Sequence, residues 1–273
     1  MLRSMTGFGK AQWKNKEERI YFEIKGSNHK FLEVFFNLPE GFTYLESLLK
    51  KEIEKKIKRG RVMVFLEITS PGFNQLFLNK ELLRKYFFLL EDLRKELSIE
   101  EKPKLETLIN LGGVLSRNNP IKDKAQELRI KRTFGWALER FLKHRESLGE
   151  AIYKELKRGC GVLKETLQHL KKRAEKAIKD KAKEIKNPEE KINFLNSRDI
   201  TEEINLLKFL ISNLETKLDK DSAGGKELDF IIQEMQREIN TLSAKSFDPK
   251  VITYSIKIKT QIERMREQVQ NVE

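Results

Sequence analysis

The sequence predicts an α+β fold in two parts. A small N-terminal α+β layer of mixed or antiparallel strands leads into a long-helix C-terminal region of bundled or hairpin helices. Three observations carry this. Short aromatic and β-branched runs crowd the first 80 residues, whereas apolar residues at three- and four-residue spacing dominate from about residue 123 onward. Charged residues make up 36% of the chain, against about 25% in an average globular protein, which is the composition of long solvated helices. The 273 residues suffice for one large domain or two ordinary ones. The expected division is 1–120 and 121–273.

Within the first part, Arg19 to Lys25 and Phe31 to Phe36 read as strands, separated by Gly26-Ser27-Asn28-His29-Lys30, which is turn chemistry. Leu45, Leu48, Leu49, Ile53 and Ile57 then recur at helical spacing, and Gly60 is placed to close that helix before a strand from Val62 to Ile68. The order strand, strand, strand, helix, strand is not a repeating βαβ pattern. Leu82 to Leu97 reads as a further helix, with a break at Leu111-Gly112-Gly113-Val114. Beyond it Asp219 to Gly225 is the clearest loop.

The 55 Lys and Arg outnumber the 42 Asp and Glu, so the chain carries a net charge of +13. A polyanion is the expected partner, nucleic acid before membrane. The stretch from Lys171 to Lys183 holds seven basic and two acidic residues and is either an RNA-tracking helix or a solvated face. No apolar run is long enough to span a membrane, and the first residues lack the pattern of a signal peptide, so a cytoplasmic protein is expected. The single cysteine, Cys160, excludes an internal disulfide and any cysteine-based metal cluster, and its neighbours offer no acid–base partner. Walker loop, dinucleotide fingerprint, nucleophile elbow and zinc-helix motif are all missing, which argues against a nucleotide cofactor or redox chemistry.

Three helices near the end each present one apolar seam: Ile204, Leu207, Ile211, Leu214 and Leu218; Leu228, Ile232, Met235, Ile239 and Leu242; and Ile258, Ile262, Met265, Val269 and Val272. One position round from the second seam run Asp229, Gln233, Gln236 and Asn240. One position round from the third run Lys259, Glu263, Arg266 and Gln270. Solvated faces in this protein are written in Lys and Glu, so a flank of short amides and acids is distinctive. Such half-buried groups need partners, either each other in an interhelical ladder, or a metal or ligand. The pairs Glu234/Glu238 and Glu263/Glu267 stand four residues apart on single helical faces, a spacing that suits a hard cation and is also common on charged helices. His144 and His169 lie on charged helices. His29, in a tight turn beside Asn28 and Lys30, is the candidate imidazole for proton transfer.

Two blocks resemble the YicC/YloC family of bacterial endoribonucleases. At the start, Ser4 to Gly9, Glu23 to Leu32 and Arg59-Gly60-Arg61-Val62 are similar to that family. At the end, Gly225 to Ser246 and Ile262 to Glu273 are the strongest match. Departures are Leu206 at a position usually arginine, Phe209 and Leu210 at a usual Ser-His pair, Lys30 at a usual arginine, Gly112 at a usual proline and Leu148 at a usual acid.

The resemblance implies a divalent-metal-dependent nuclease, with manganese or magnesium, that assembles as a homo-oligomer, commonly a hexamer, enclosing RNA. On this reading Lys25, Asn28, Lys30, Arg59, Arg61, Gln233, Arg237, Asn240, Lys245, Arg266 and Gln270 contact RNA. The catalytic candidates are Asp229, Glu234, Glu238, Glu263, Glu267 and His29, with Glu234, Glu238, Glu263 and Glu267 as metal ligands. The alternative is an RNA-binding scaffold without catalysis.

Overall fold

The computed structural model describes residues 2–70, 75–118, 124–220 and 224–273. Four strands form one mixed sheet: β1 (Gly7–Lys14), β2 (Arg19–Ser27), β3 (Leu32–Asn37) and β4 (Gly60–Thr69), in the order β1-β2-β4-β3. β1 pairs with β2 and β2 with β4 antiparallel, while β3 runs parallel to β4, with Leu32 opposite Gly60. The parallel pair needs a crossover, and α1 (Leu45–Glu54) supplies it, its Leu45, Leu49 and Ile53 buried. Alternation is strict along β4, where Val62, Val64, Leu66 and Ile68 point into the core and their neighbours point out.

One expectation changes. Gly60 does not close the helix, which ends six residues earlier at Glu54; it opens β4 instead. Its φ of +108° is a conformation that favours glycine, and a Cβ there would stand 3.2 Å from the Ser27 carbonyl oxygen.

A two-stranded antiparallel sheet, β5 (Gln75–Leu78) with β6 (Leu115–Asn118), brackets α2 (Lys80–Glu96) and α3 (Leu105–Ile109). Next comes α4 (Lys124–Glu184), 61 residues long and about 90 Å from end to end. The remaining helices are α5 (Pro188–Ser197), α6 (Thr201–Asp219), α7 (Gly225–Lys245) and α8 (Pro249–Val269). Every residue of the three apolar seams is buried. The middle of the loop at 221–223, and the expected boundary at 120/121, lie outside the described residues.

The long helix serves two cores. Its first third, through Ile130, Phe134, Ala137, Leu138 and Phe141, packs on the sheet and α1. Its second half, through Ile152, Leu156, Cys160, Leu163, Leu167 and Leu170, packs on the seams of α6, α7 and α8. Burial pushes the Cys160 thiol up to about 12, so it stays protonated and inert.

Between the cores sits Arg145, 1% exposed. Its Nε donates to the Ser4 carbonyl oxygen at 2.5 Å, and its Nη2 pairs with Glu273. The same Glu273 carboxylate accepts from the backbone N–H groups of Lys58 and Arg59. Ser4 bridges Val272, and Met5 N–H donates to the Asn271 carbonyl oxygen at 2.8 Å. One turn further along α4, Gly149 lets the Leu2 backbone cross the helix; an added Cβ would lie 2.0 Å from its carbonyl oxygen.

Arg145→Met keeps the volume but strips Glu273 and the Ser4 carbonyl of their partner. We expect a loss of about 3 kcal/mol, measured as a lowered urea midpoint, with the helical circular dichroism of the folded state retained.

Candidate functional site

The turn between β2 and β3 is held against the end of α8. Asn28 Nδ2 donates to the Gln270 carbonyl oxygen at 2.9 Å and approaches Asn271 Oδ1 at 3.4 Å. Arg59 Nε donates to the His29 carbonyl oxygen at 3.2 Å, while its N–H reaches Glu273 Oε1 at 2.9 Å. Two blocks more than 200 residues apart in sequence therefore meet in one place. His29 sits in this junction with Nδ1 3.1 Å from the Phe31 carbonyl oxygen and Nε2 3.7 Å from Glu33.

Cations near the junction are stacked or paired rather than loose. Lys30 lies over the Phe31 ring, Arg61 over Phe35 and bonded to Glu33 at 3.0 Å, and Lys25 beside Phe8 and Glu23. Lys25, Arg61, Phe8 and Phe35 share the outward face of the sheet.

The two polar flanks do face one another. Arg266 of α8 lies 3.5 Å from Asp229 Oδ1 of α7, and Gln233 Nε2 donates to Asp229 Oδ2 at 2.7 Å. Only part of this band is satisfied. Asp229 Oδ1, Gln236 Oε1 and Arg266 Nε are buried without a hydrogen-bond partner within the chain. Asp229 Oδ1 and Arg266 Nε nevertheless form an ion pair with each other at 3.5 Å, so Gln236 Oε1 is the one of the three atoms without a polar partner across the seam. Asn240, Glu263 and Gln270 belong to the same flanks but are exposed.

The four nominated metal ligands do not converge. Glu234 and Glu238 lie on the α6 side of α7, opposite the amide flank, whereas Glu263 and Glu267 are exposed on α8. Among the described residues no three of His, Cys, Asp and Glu assemble as a metal cluster.

The structure brings Glu238 to a different partner. Glu203, at the start of α6, is 4% exposed, with Oε1 held by Lys245 at 2.6 Å and Oε2 without a partner. Burial, and then the negative charges of Glu203, Glu234 and Glu202, push the Glu238 carboxyl above its ordinary range. Lys245 is raised in turn, first by its hydrogen bond to Glu203. Glu234 is engaged by Arg237, which is 73% exposed, at 2.9 Å. A carboxyl that keeps its proton to higher pH, beside a lysine-held carboxylate, is a suitable proton donor or acceptor. Glu203 stands beside Glu202 in the first turn of α6. Its proximity to Glu238 is purely tertiary.

At the usual Ser-His positions, Phe209 is 64% exposed and Leu210 is buried, so no imidazole reaches this region from α6. In the basic stretch of α4, Arg173 grips Asp248, the N-cap of α8, through both carboxylate oxygens. Lys172, Lys176 and Lys179 are exposed and have no ion pair among the described residues.

The raised Glu238 sets a sign. Its folded-state value lies above its unfolded one, so the protonated form favours folding at low pH, and that contribution is lost as pH rises through the folded value. Glu238→Gln should therefore melt higher than wild type at pH 8, with the difference closing near pH 4. Thermal melts at the two pH values check this.

Comparison with known proteins agrees with both ends of the chain. The model described as "Endoribonuclease YicC-like, N-terminal region" matches residues 2–154, and "Endoribonuclease YicC-like, C-terminal" matches residues 156–273. A protein of Clostridioides difficile strain 630 named "Probable endoribonuclease YicC" is 25% identical over 295 residues, and one of the same name from Haemophilus influenzae is 29% identical over 294. Both alignments cover all of this chain and all of the relative. With the two models spanning nearly the whole sequence, the chain belongs to the endoribonuclease YicC-like family.

Proposed function

We propose that this protein is an endoribonuclease that cuts phosphodiester bonds in single-stranded or loop RNA, working as a homo-oligomer that encloses the strand. The carrying observation is the polar band of Asp229, Gln233, Gln236 and Arg266, an interhelical ion pair flanked by amides that runs toward the Asn28–Gln270 junction. The names of the full-length relatives support the same reaction class, and the net charge of +13 suits a polyanionic substrate.

Arg266, Arg59, Lys30 and Arg237 hold phosphates on this reading, while Asn28, Gln233, Asn240 and Gln270 offer amide contacts to the strand. Glu238 moves the proton, taking it from the attacking oxygen or giving it to the leaving one, and Lys245 pairs with the neighbouring Glu203 at 2.6 Å. Asp229 and Glu238 are nine residues apart, about 14 Å along α7, and on opposite flanks. Binding and proton transfer are therefore separate stations within one subunit.

Dependence on manganese or magnesium rests on the family resemblance and routes no step here. A second reading, an RNA-binding scaffold without cleavage, is favoured by Phe209 and Leu210 in place of the usual Ser-His pair.

The test is an end-labelled RNA with a stem and a loop, incubated with manganese, with magnesium and with EDTA. Internal cuts are expected, and EDTA decides the metal question. Glu238→Gln should slow cutting by at least about 100-fold while RNA still shifts on a gel. Intact RNA that shifts with the wild type would establish the scaffold instead. Arg237→Gln should reduce the slope of log affinity against log salt by about 0.7, since it removes one phosphate contact from a single strand.

A further inference from the structure

The four-stranded sheet buries one face under α1 and α4 and leaves the other open. Outward positions of a one-sided sheet are normally polar, yet here Phe8 is 36% exposed, Phe35 52%, Met63 56% and Phe65 39%. The strand register brings these side chains together. Phe8 stands opposite Lys25, Lys25 opposite Met63, and Met63 opposite Phe35, so a single row crosses all four strands. Its two rings are three strand spacings apart, about 14 Å. Phe65 lies on the next row, between Glu23 and Asn37. Lys25, Phe35, Met63 and Phe65 line a groove of about 350 Å³, a volume that suits a small planar ligand.

The charges on this face say what it takes. Each end ring has its own cation: Lys25 Nζ lies 6.0 Å from the Phe8 centroid, and the Arg61 guanidinium 5.5 Å from that of Phe35. Glu23 is balanced by Lys25 at 2.6 Å and Glu33 by Arg61 at 3.0 Å. That leaves the outward Lys10, Lys14 and Arg19 against Glu67 alone, and the face is net positive. Lys10 and Lys14 have no ion-pair partner among the described residues. A positive surface with open rings matches unpaired nucleic acid, whose bases stack on the rings while its phosphates lie by the cations. A duplex keeps its base faces covered and cannot use the rings. Only the row of Ser27, Arg61 and Glu33 separates this platform from the Asn28 turn, where Lys30 lies over the exposed Phe31. A strand leaving the polar band at that turn therefore runs onto the sheet.

We propose that the outward face of the sheet is a base-stacking platform for unpaired RNA, with bases on Phe8, Phe35 and Phe65 and phosphates by Lys10, Lys25 and Arg61. The platform rests on RNA being the substrate and adds the surface that selects unpaired bases. Fluorescence anisotropy of a labelled oligoadenylate of about 12 nucleotides with the full-length protein measures it. Phe35→Ala combined with Phe65→Ala should weaken binding about 10-fold or more. The slope of log affinity against log salt should not change, because no charge is lost. Phe35→Tyr combined with Phe65→Tyr should bind like the wild type. A strand of the same length without bases should bind the wild type about 10-fold or more weakly than the oligoadenylate does. A strand carrying 5-iodouridine should crosslink on irradiation to Phe8, Phe35 or Phe65, mapped by mass spectrometry.

Unchanged affinity in the alanine variant, or equal affinity for the strand without bases, would each overturn the platform. So would an alanine variant whose sedimenting mass falls, since the face would then be covered by protein instead of RNA. If the alanine variant fails to fold, the crosslinks decide alone, and adducts confined to other elements sink the assignment. RNA cleavage assayed on the same samples keeps the two readings apart. A protein whose strand affinity depends on the rings but which leaves RNA intact sinks the nuclease and spares the platform. One that cuts RNA with an affinity indifferent to the rings does the reverse.

Discussion

Arg145 is the point through which the two halves of this protein are tied. Its guanidinium is almost completely buried and joins the Ser4 backbone to Glu273, which in turn holds the amides that lead into β4. A buried ion pair of this kind costs desolvation and is a poor source of net stability. Its value is register. It sets the first strand, the end of α8 and the Arg145 turn of α4 in one arrangement, so that the Asn28 turn arrives beside Gln270. Because α4 is continuous through both cores, any change at this joint reaches the sheet and the helical bundle together.

Helix α7 then divides the chemistry. Its apolar seam faces the core, one flank faces α8 with Asp229, Gln233 and Gln236, and the other faces α6 with Glu234 and Glu238. The two flanks have opposite electrostatic characters. Toward α8 an arginine and an aspartate form an ion pair flanked by amides. Toward α6 burial, and then the neighbouring carboxylates, raise the Glu238 pKa. Separating them on one helix avoids neutralising the arginine with the carboxylate cluster.

Much of this was legible in the linear pattern. The three seams, the alternation of β4 and the distinctive amide flank follow from periodicities of 3.6 and 2, which local backbone geometry imposes on any chain. The end blocks were enough to suggest the family. Gly60 misled, because a glycine near a helix end has two common uses, a helix terminus or a left-handed strand start, and local sequence does not separate them. For the carboxylates, spacing along one helix says which residues share a face, but not which neighbour that face meets, so it could not tell that Glu234 and Glu238 lie toward α6 while Glu263 and Glu267 are exposed on α8.

The sequence by itself determined the α+β class, the helices and their buried faces, the basic character and the family, because each depends on local periodicity or on blocks of adjacent residues. Only the tertiary structure decided that Asn28 meets Gln270, that Arg266 meets Asp229, that Glu238 is partly buried near Glu203 and that α2 keeps an open face. Those facts are distances between residues far apart in the chain, and a distance of that kind is set by how whole elements pack.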